Sequence, residues 1–230
     1  MNSKIKDIMK SIGLLFLFLT FSSLFFMIFN INPNTLTEKK YLLYITISNF
    51  ILLGIFIYIY RKTLIKDLSY FKKNFFNNFF NSFKYWLFSF IIMYISNLII
   101  TKVLHQTLGG NEIAVRNNIN ISPILMIFNA CIYSPITEEL VFRKSIKDAI
   151  SNKWLYIIIS GLLFGFLHII SNINSPLGLI YLIPYGVFGI SFAYIYNKTD
   201  NIYSTIMIHA FHNIIAIVLY LLGGTLWKNL

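Results

Sequence analysis

The chain reads as an all-α, polytopic bundle of membrane-spanning helices, and three observations predict this. Hydrophobic residues fill 57% of its 230 positions and charged residues only 12%, about half the charged share of a water-exposed domain. The apolar residues come in long blocks, of the ~20-residue length that crosses a bilayer core of ~30 Å as a helix. The basic residues gather in alternate gaps between those blocks, as the two sides of a membrane require.

Seven blocks are read as spans: Ile12–Phe29, Tyr41–Tyr60, Tyr85–Ile100, Pro123–Ile150, Leu155–Ile170, Leu177–Tyr196 and Ile202–Leu222. An eighth is allowed if one long block divides. Lys4, Lys6 and Lys10 precede the first block in the manner of a signal peptide, but the run is long and no small-residue cleavage site follows it. It is read as a retained helix. Between the second and third blocks, Phe71, Phe75, Phe76, Phe79, Phe80 and Phe83 recur at helical spacing, with Lys and Asn on the other face. This segment is either an amphipathic helix lying in the interface or an extension of the third span. No internal repeat and no Pro/Gly/Ser-rich linker interrupts the chain, so residues 1–230 are read as a single integral membrane domain.

Charge sets the orientation. Of nineteen Lys and Arg, fourteen fall on one side, at positions 4–10, 61–84, 143–153 and 198. Lys39, Lys40, Lys102, Arg116 and Lys228 fall on the other. This bias predicts a cytoplasmic N-terminus and an external C-terminus. The net charge of +11 is thus explained by topology, and no nucleic-acid partner is expected. The abundance of Ile, Asn, Lys, Phe and Tyr suggests an AT-rich bacterial genome and a multi-pass protein of the plasma membrane, its partners being lipid and whatever substrate reaches it there. The lone Cys131 rules out an intrachain disulfide or a cysteine metal cluster.

The informative residues are polar ones inside apolar blocks. Of eight carboxylates, six fall in tails, loops or helix ends. Glu138 and Glu139 lie within the fourth block, where a charge at the helix centre costs ~2.5–3.5 kcal/mol and usually serves function. Three of four histidines, His168, His209 and His212, also lie in apolar blocks; His105 lies in an outer loop and is given no role. The fourth and fifth spans form a hairpin turning near Ser151–Lys153. Glu138 precedes that turn and His168 follows it by similar lengths of helix, so both climb ~21–24 Å, to nearly one height. His209, ~13 Å into the seventh span, and Asn213 one turn further share a helix face.

Glu139 and Arg143 are i and i+4 and neutralise each other, which favours a structural role. His212 reads as packing or a helper. Glu138, His168, His209 and Asn213 converge from three spans with one negative charge between them, more than packing requires. Gly161 and Gly165 allow close helix approach, and Pro135 removes a backbone hydrogen bond just before Glu138. The cavity they face has to open to the cytoplasm or sideways to lipid for a peptide to enter.

These residues carry a resemblance. Glu138–Glu139–Leu140–Val141–Phe142–Arg143 fits E-E-x-x-x-R, Phe164 to His168 fits F-x-x-x-H, and His209 to Asn213 fits H-x-x-x-N. In this order, within residues 134–213, the motifs resemble those of the CPBP family, which comprises CAAX prenyl endopeptidases and the bacteriocin-processing and immunity (Abi) proteins. The resemblance implies an intramembrane endopeptidase. Glu138 would activate a water, His168 would help hold it, His209 and Asn213 would stabilise the oxyanion, and Glu139 with Arg143 would support the helix. Peptide hydrolysis needs such a base and such donors. A zinc-dependent version stays open, with Glu138, His168 and His209 as ligands, although the H-E-x-x-H helix is absent and the metal-free mechanism is preferred. The implied substrates are membrane-associated peptides, in bacteriocin processing or self-immunity. A proton-coupled transporter and a non-enzymatic immunity protein are the competing classes.

Overall fold

The structure, a computed structural model, describes residues 3–173 and 176–227. Lys228, assigned above to the outer side, lies outside the described residues. The described residues hold helices and connecting turns, with no strand among them. The helices are α1 (Ser3–Ile28), α2 (Glu38–Lys73), α3 (Phe75–Leu98, widening into a π-helical turn over Ile99–Val103), α4 (Gly110–Ile121), α5 (Pro123–Ala149, in several segments), α6 (Lys153–Ile169), α7 (Leu182–Thr199) and α8 (Ile202–Trp227).

Six of these are long and apolar enough to cross a membrane. The predicted fifth span is the exception: α6 has 17 residues, which rise only ~26 Å. The phenylalanine-rich segment resolves as an extension of the third span. α2 runs on to Lys73, the chain turns at Asn74, and α3 begins at Phe75. α4 has no counterpart in the apolar blocks. It is mostly polar and buries Ile119 against Met126 and Ile217.

Side-chain bonds identify the two ends of the bundle. At one end Lys4 Nζ donates to the Asp148 carbonyl at 3.1 Å, and Lys147 pairs with Asp200 at 2.7 Å. The Asp67 carboxylate there accepts the Ile202 N–H at 3.0 Å, capping α8 from another helix. The residues that sequence placed on the basic side thus meet at one end. At the opposite end Tyr181 donates to the Thr107 carbonyl, the Gly110 N–H donates to Asn172 Oδ1, and Tyr220 donates to Asn120 Oδ1.

The closest helix pair is α6 with α7. A Cβ added at Gly165 would stand 2.9 Å from Gly186 Cα, and one added at Gly189 would stand 2.9 Å from Gly161 Cα. Small residues let these backbones touch, which brings the His168-bearing helix flush with its neighbour. The main apolar core joins Leu14, Phe56, Phe142, Tyr156 and Ala193 from five helices. Asn129 crosses from α5 to α2, donating to Thr46 Oγ1 at 2.7 Å and accepting from Asn49 at 2.9 Å.

Candidate active site

The irregularity of α5 positions Glu138. Residues Asn129–Tyr133 and Glu139–Ser145 are π-helical, and the short α segment Ser134–Glu138 sits between them. In an α-helix the Ala130 carbonyl would accept the Ser134 N–H. Here that N–H reaches back to Asn129 O, and the next residue, Pro135, has no N–H to give. The Ala130 carbonyl is therefore released from its own helix. Asn213 of α8 takes it, donating from Nδ2 at 2.6 Å. A carbonyl can only accept, so this bond fixes which way the Asn213 amide points. One N–H of Asn213 is thereby committed to α5, and the other is left over.

The π turn after Glu138 is held by Arg143. Both Arg143 and Glu139 are fully buried. Arg143 Nε donates to Glu139 Oε2 at 2.9 Å, and Nη1 donates to Ser160 Oγ at 2.9 Å. The guanidinium lies 4.6 Å from the Phe164 ring centroid, within cation–π range. Ser160 in turn donates to the Phe142 carbonyl at 2.6 Å.

Glu138, His168 and His209 come together. Glu138 Oε2 lies 3.9 Å from His168 Nε2 and 4.0 Å from His209 Nε2. The equal depths expected from the hairpin and from α8 are found. Ser134, one turn back on the same face, donates to Glu138 Oε1, whereas Oε2 is buried with no protein hydrogen-bond partner. His168 Nδ1 lies 2.8 Å from the Phe164 carbonyl. His209 Nδ1 lies 2.9 Å from Glu139 Oε1. Both partners are acceptors, so each Nδ1 carries the proton, and each Nε2 lone pair of a neutral ring faces Glu138. Tyr185 stacks on the His168 ring at 5.3 Å, and Phe192 packs on His209 at 5.2 Å.

His212 has the opposite polarity. Trp86 Nε1, which can only donate, points at its Nδ1 across 3.4 Å, so the proton of a neutral ring sits on Nε2. His212 packs on Phe188 at 4.2 Å, in keeping with a packing role. Sequence reasoning missed three partners. Ser134 and Ser160 had no signal beyond helical spacing. The bond from His209 to Glu139 extends Glu139 beyond its pairing with Arg143, and only tertiary structure reveals it.

Two imidazoles and a carboxylate are plausible zinc donors by type. Ligand bonds of about 2.0–2.2 Å put neighbouring donor atoms about 3.3–3.5 Å apart around a tetrahedral ion. The edges here are 3.9 Å and 4.0 Å, and no group of three or more His, Cys, Asp or Glu among the described residues has the arrangement of a metal site. As placed, both edges are about 0.5 Å wider than those of a tetrahedral zinc site.

The trio forms the floor of a cavity of about 710 Å³. Asn213, Tyr133, Phe188 and Asn129 line its walls, and α4 contributes Asn111, Glu112 and Arg116.

Comparison with known proteins places this region. Residues 120–215 match the family described as Type II CAAX prenyl endopeptidase Rce1-like. A curated but uncharacterised protein of Mycoplasma capricolum is 37% identical over 99 residues, covering 42% of this chain and 27% of that protein. A protein of Bacillus subtilis, named only provisionally as the membrane peptidase YdiL, is 32% identical over 100 residues, covering 42% of this chain and 38% of its own length. The chain thus spans well under half the length of these curated relatives. No solved structure matches. The matched stretch begins at the end of α4 and ends within α8, so it holds Glu138, His168, His209 and Asn213, and over residues 120–215 this multi-pass membrane protein is similar to the Rce1-like type II CAAX prenyl endopeptidase family.

Proposed function

We propose that this protein is an intramembrane endopeptidase in which Glu138 activates a water against a peptide carbonyl. The observation that carries the reading is the buried, unpartnered Glu138 Oε2, facing Nε2 of His168 and of His209 within 4.0 Å on the floor of the cavity. Two hydrogen bonds of ~2.8 Å can span up to ~5.6 Å, so one water fits between Glu138 and either imidazole. That water donates one proton to Oε2 and the other to His168 Nε2, which aims its oxygen lone pairs at the substrate. Glu138 takes the first proton as the O–C bond forms, and passes it to the amine nitrogen as the C–N bond breaks.

The oxyanion needs donors already in place. Asn213 supplies its second N–H, its first being anchored on Ala130. His209 supplies Nε2–H when both its nitrogens are protonated, with Nδ1–H retained by Glu139. Glu139 and Arg143 act through His209 and the π turn, so they are positioning residues. The spacing around Glu138 supports the metal-free version over the zinc-dependent one. The resemblance supports membrane-associated peptides as substrates, whether in bacteriocin processing or in self-immunity.

The test is cleavage of a candidate leader peptide by purified protein in detergent or lipid, read by mass spectrometry. The wild type cuts at a defined bond. Glu138→Gln, which keeps shape and removes the base, elutes as a folded protein and leaves the peptide intact. Cleavage by Glu138→Gln at the wild-type rate refutes the mechanism.

A further inference from the structure

The two sides of Glu138 are built differently. Towards the basic end α5 continues through Leu140, Val141, Phe142 and Arg143, all at 0–1% exposure. Ile157 of α6 and Thr205 of α8 are likewise buried, at 2% and 0%. The cavity extends the other way, past Asn97 of α3, Glu112 and Arg116 of α4, and Tyr220 of α8.

The contacts between the helices flanking the cavity change in the same direction. In the basic half α3 and α8 are stitched together by rings: Phe79, Phe83 and Trp86 meet Phe211 at 4.9–6.1 Å. Among the described residues the last such contact is Phe90 with His212 at 6.4 Å. Beyond it, Tyr94 and Asn97 on α3 and Ala216 and Tyr220 on α8 face the cavity instead. α4 lies across this end, anchored by the Gly110 N–H to Asn172 and by Arg116 over the Tyr220 ring at 5.0 Å. Glu112 and Arg116 pair with each other at 2.8 Å, so the rim presents no uncompensated charge.

We propose that substrate reaches Glu138 from the face of the membrane opposite the basic end. Under the positive-inside rule that is the extracytoplasmic face, not the cytoplasmic or lateral opening expected from the sequence, and the buried side chains on the basic side of Glu138 line no part of the cavity. The substrate, on the endopeptidase reading above, is then an extended, largely uncharged peptide segment exposed outside the cytoplasm. It enters between the outer halves of α3 and α8, beneath α4. Its backbone meets the amides of Asn97, Asn111 and Asn129, and its apolar side chains meet Tyr94 and Tyr220.

The experiment is cysteine labelling of the full chain in whole bacterial cells, in a Cys131→Ser background that removes the native thiol. Ala114→Cys reports the exposed face of α4, Ala216→Cys the cavity wall, and Lys153→Cys the basic end. With a membrane-impermeant maleimide, Ala114→Cys and Ala216→Cys are labelled in intact cells, and Lys153→Cys only after permeabilisation. Labelling of Lys153→Cys in intact cells, or of Ala216→Cys only from the side that labels Lys153→Cys, overturns the proposal. Labelling does not require cleavage, so a wild type that fails to cut the peptide counts against the endopeptidase reading alone.

Discussion

Removing the cation buried beside the site should be more damaging than removing the whole ion pair. Arg143→Met deletes the guanidinium and fills much of its volume. Ser160 keeps a partner, since its hydroxyl donates to the Phe142 carbonyl at 2.6 Å. Glu139 does not fare as well: two arginine contacts at 2.9 Å and 3.5 Å disappear, and only the His209 bond remains. An anion left in a fully buried position costs about 3–5 kcal/mol. Adding Glu139→Gln removes the charge, keeps a carbonyl to accept from His209, and leaves one amide group without a partner, a penalty of about 1–3 kcal/mol. The double variant should therefore be more stable than Arg143→Met by about 2 kcal/mol. Reversible unfolding in mixed micelles of SDS and a non-ionic detergent, followed by tryptophan fluorescence, measures both. A loss below about 1 kcal/mol for Arg143→Met, the level of an exposed pair, refutes the reasoning, as does a double variant less stable than the single.

Three further outcomes follow from the packing. Gly189→Ala drives a methyl group into the Gly161 backbone; it should cost about 1–3 kcal/mol or more in the same assay, whereas Gly54→Ala, with nothing within 4 Å, should cost nothing measurable. Asn213→Leu strands the Ala130 carbonyl and should cost about 1–3 kcal/mol; adding Pro135→Ala restores an N–H five residues on and should recover part of that, and a further loss instead would show that the π turn is not held as described. Asp67→Ala removes the cap of α8 at 3.0 Å from Ile202 and should lower stability by about 0.5–2 kcal/mol, checked against Lys147→Ala, whose partner Asp200 is 77% exposed and whose loss should stay below about 1 kcal/mol.

Much of the site was legible because it depends on rise per residue. Equal helix lengths on either side of the turn at Ser151–Lys153 put Glu138 and His168 level, and a four-residue step put His209 and Asn213 on one face. What escaped depends on local winding and on contacts between distant helices. A π turn has no hydrophobic period of its own, so the release of the Ala130 carbonyl could not be read from Pro135 alone. The His209–Glu139 bond joins residues 70 positions apart. α4 was invisible because its residues are mostly polar; its one deeply buried side chain, Ile119, is recognised only once Met126 and Ile217 are seen to receive it. The phenylalanine repeat that runs from the end of α2 into α3 was ambiguous for another reason: helical spacing is the same whether a helix lies along an interface or continues a span.

The shortness of α6 has a bearing on the surrounding lipid. Its 17 residues rise ~26 Å, against a hydrocarbon thickness of ~30 Å. Its N-terminal Trp154 is 60% exposed and suited to the headgroup level, so the misfit falls at the other end, where His168 sits beside the cavity. Acyl chains there must compress to meet the helix, at a cost of fractions of a kcal/mol per Å of mismatch. A bilayer thinned beside the residues that face Glu138 would bring headgroup water closer to the site than an unperturbed one. Lengthening the lipid chains raises that elastic penalty and shortening them relieves it, which makes bilayer thickness a physical setting to which the protein's preferred membrane, and the ease with which a peptide leaves lipid for the cavity, are both tied.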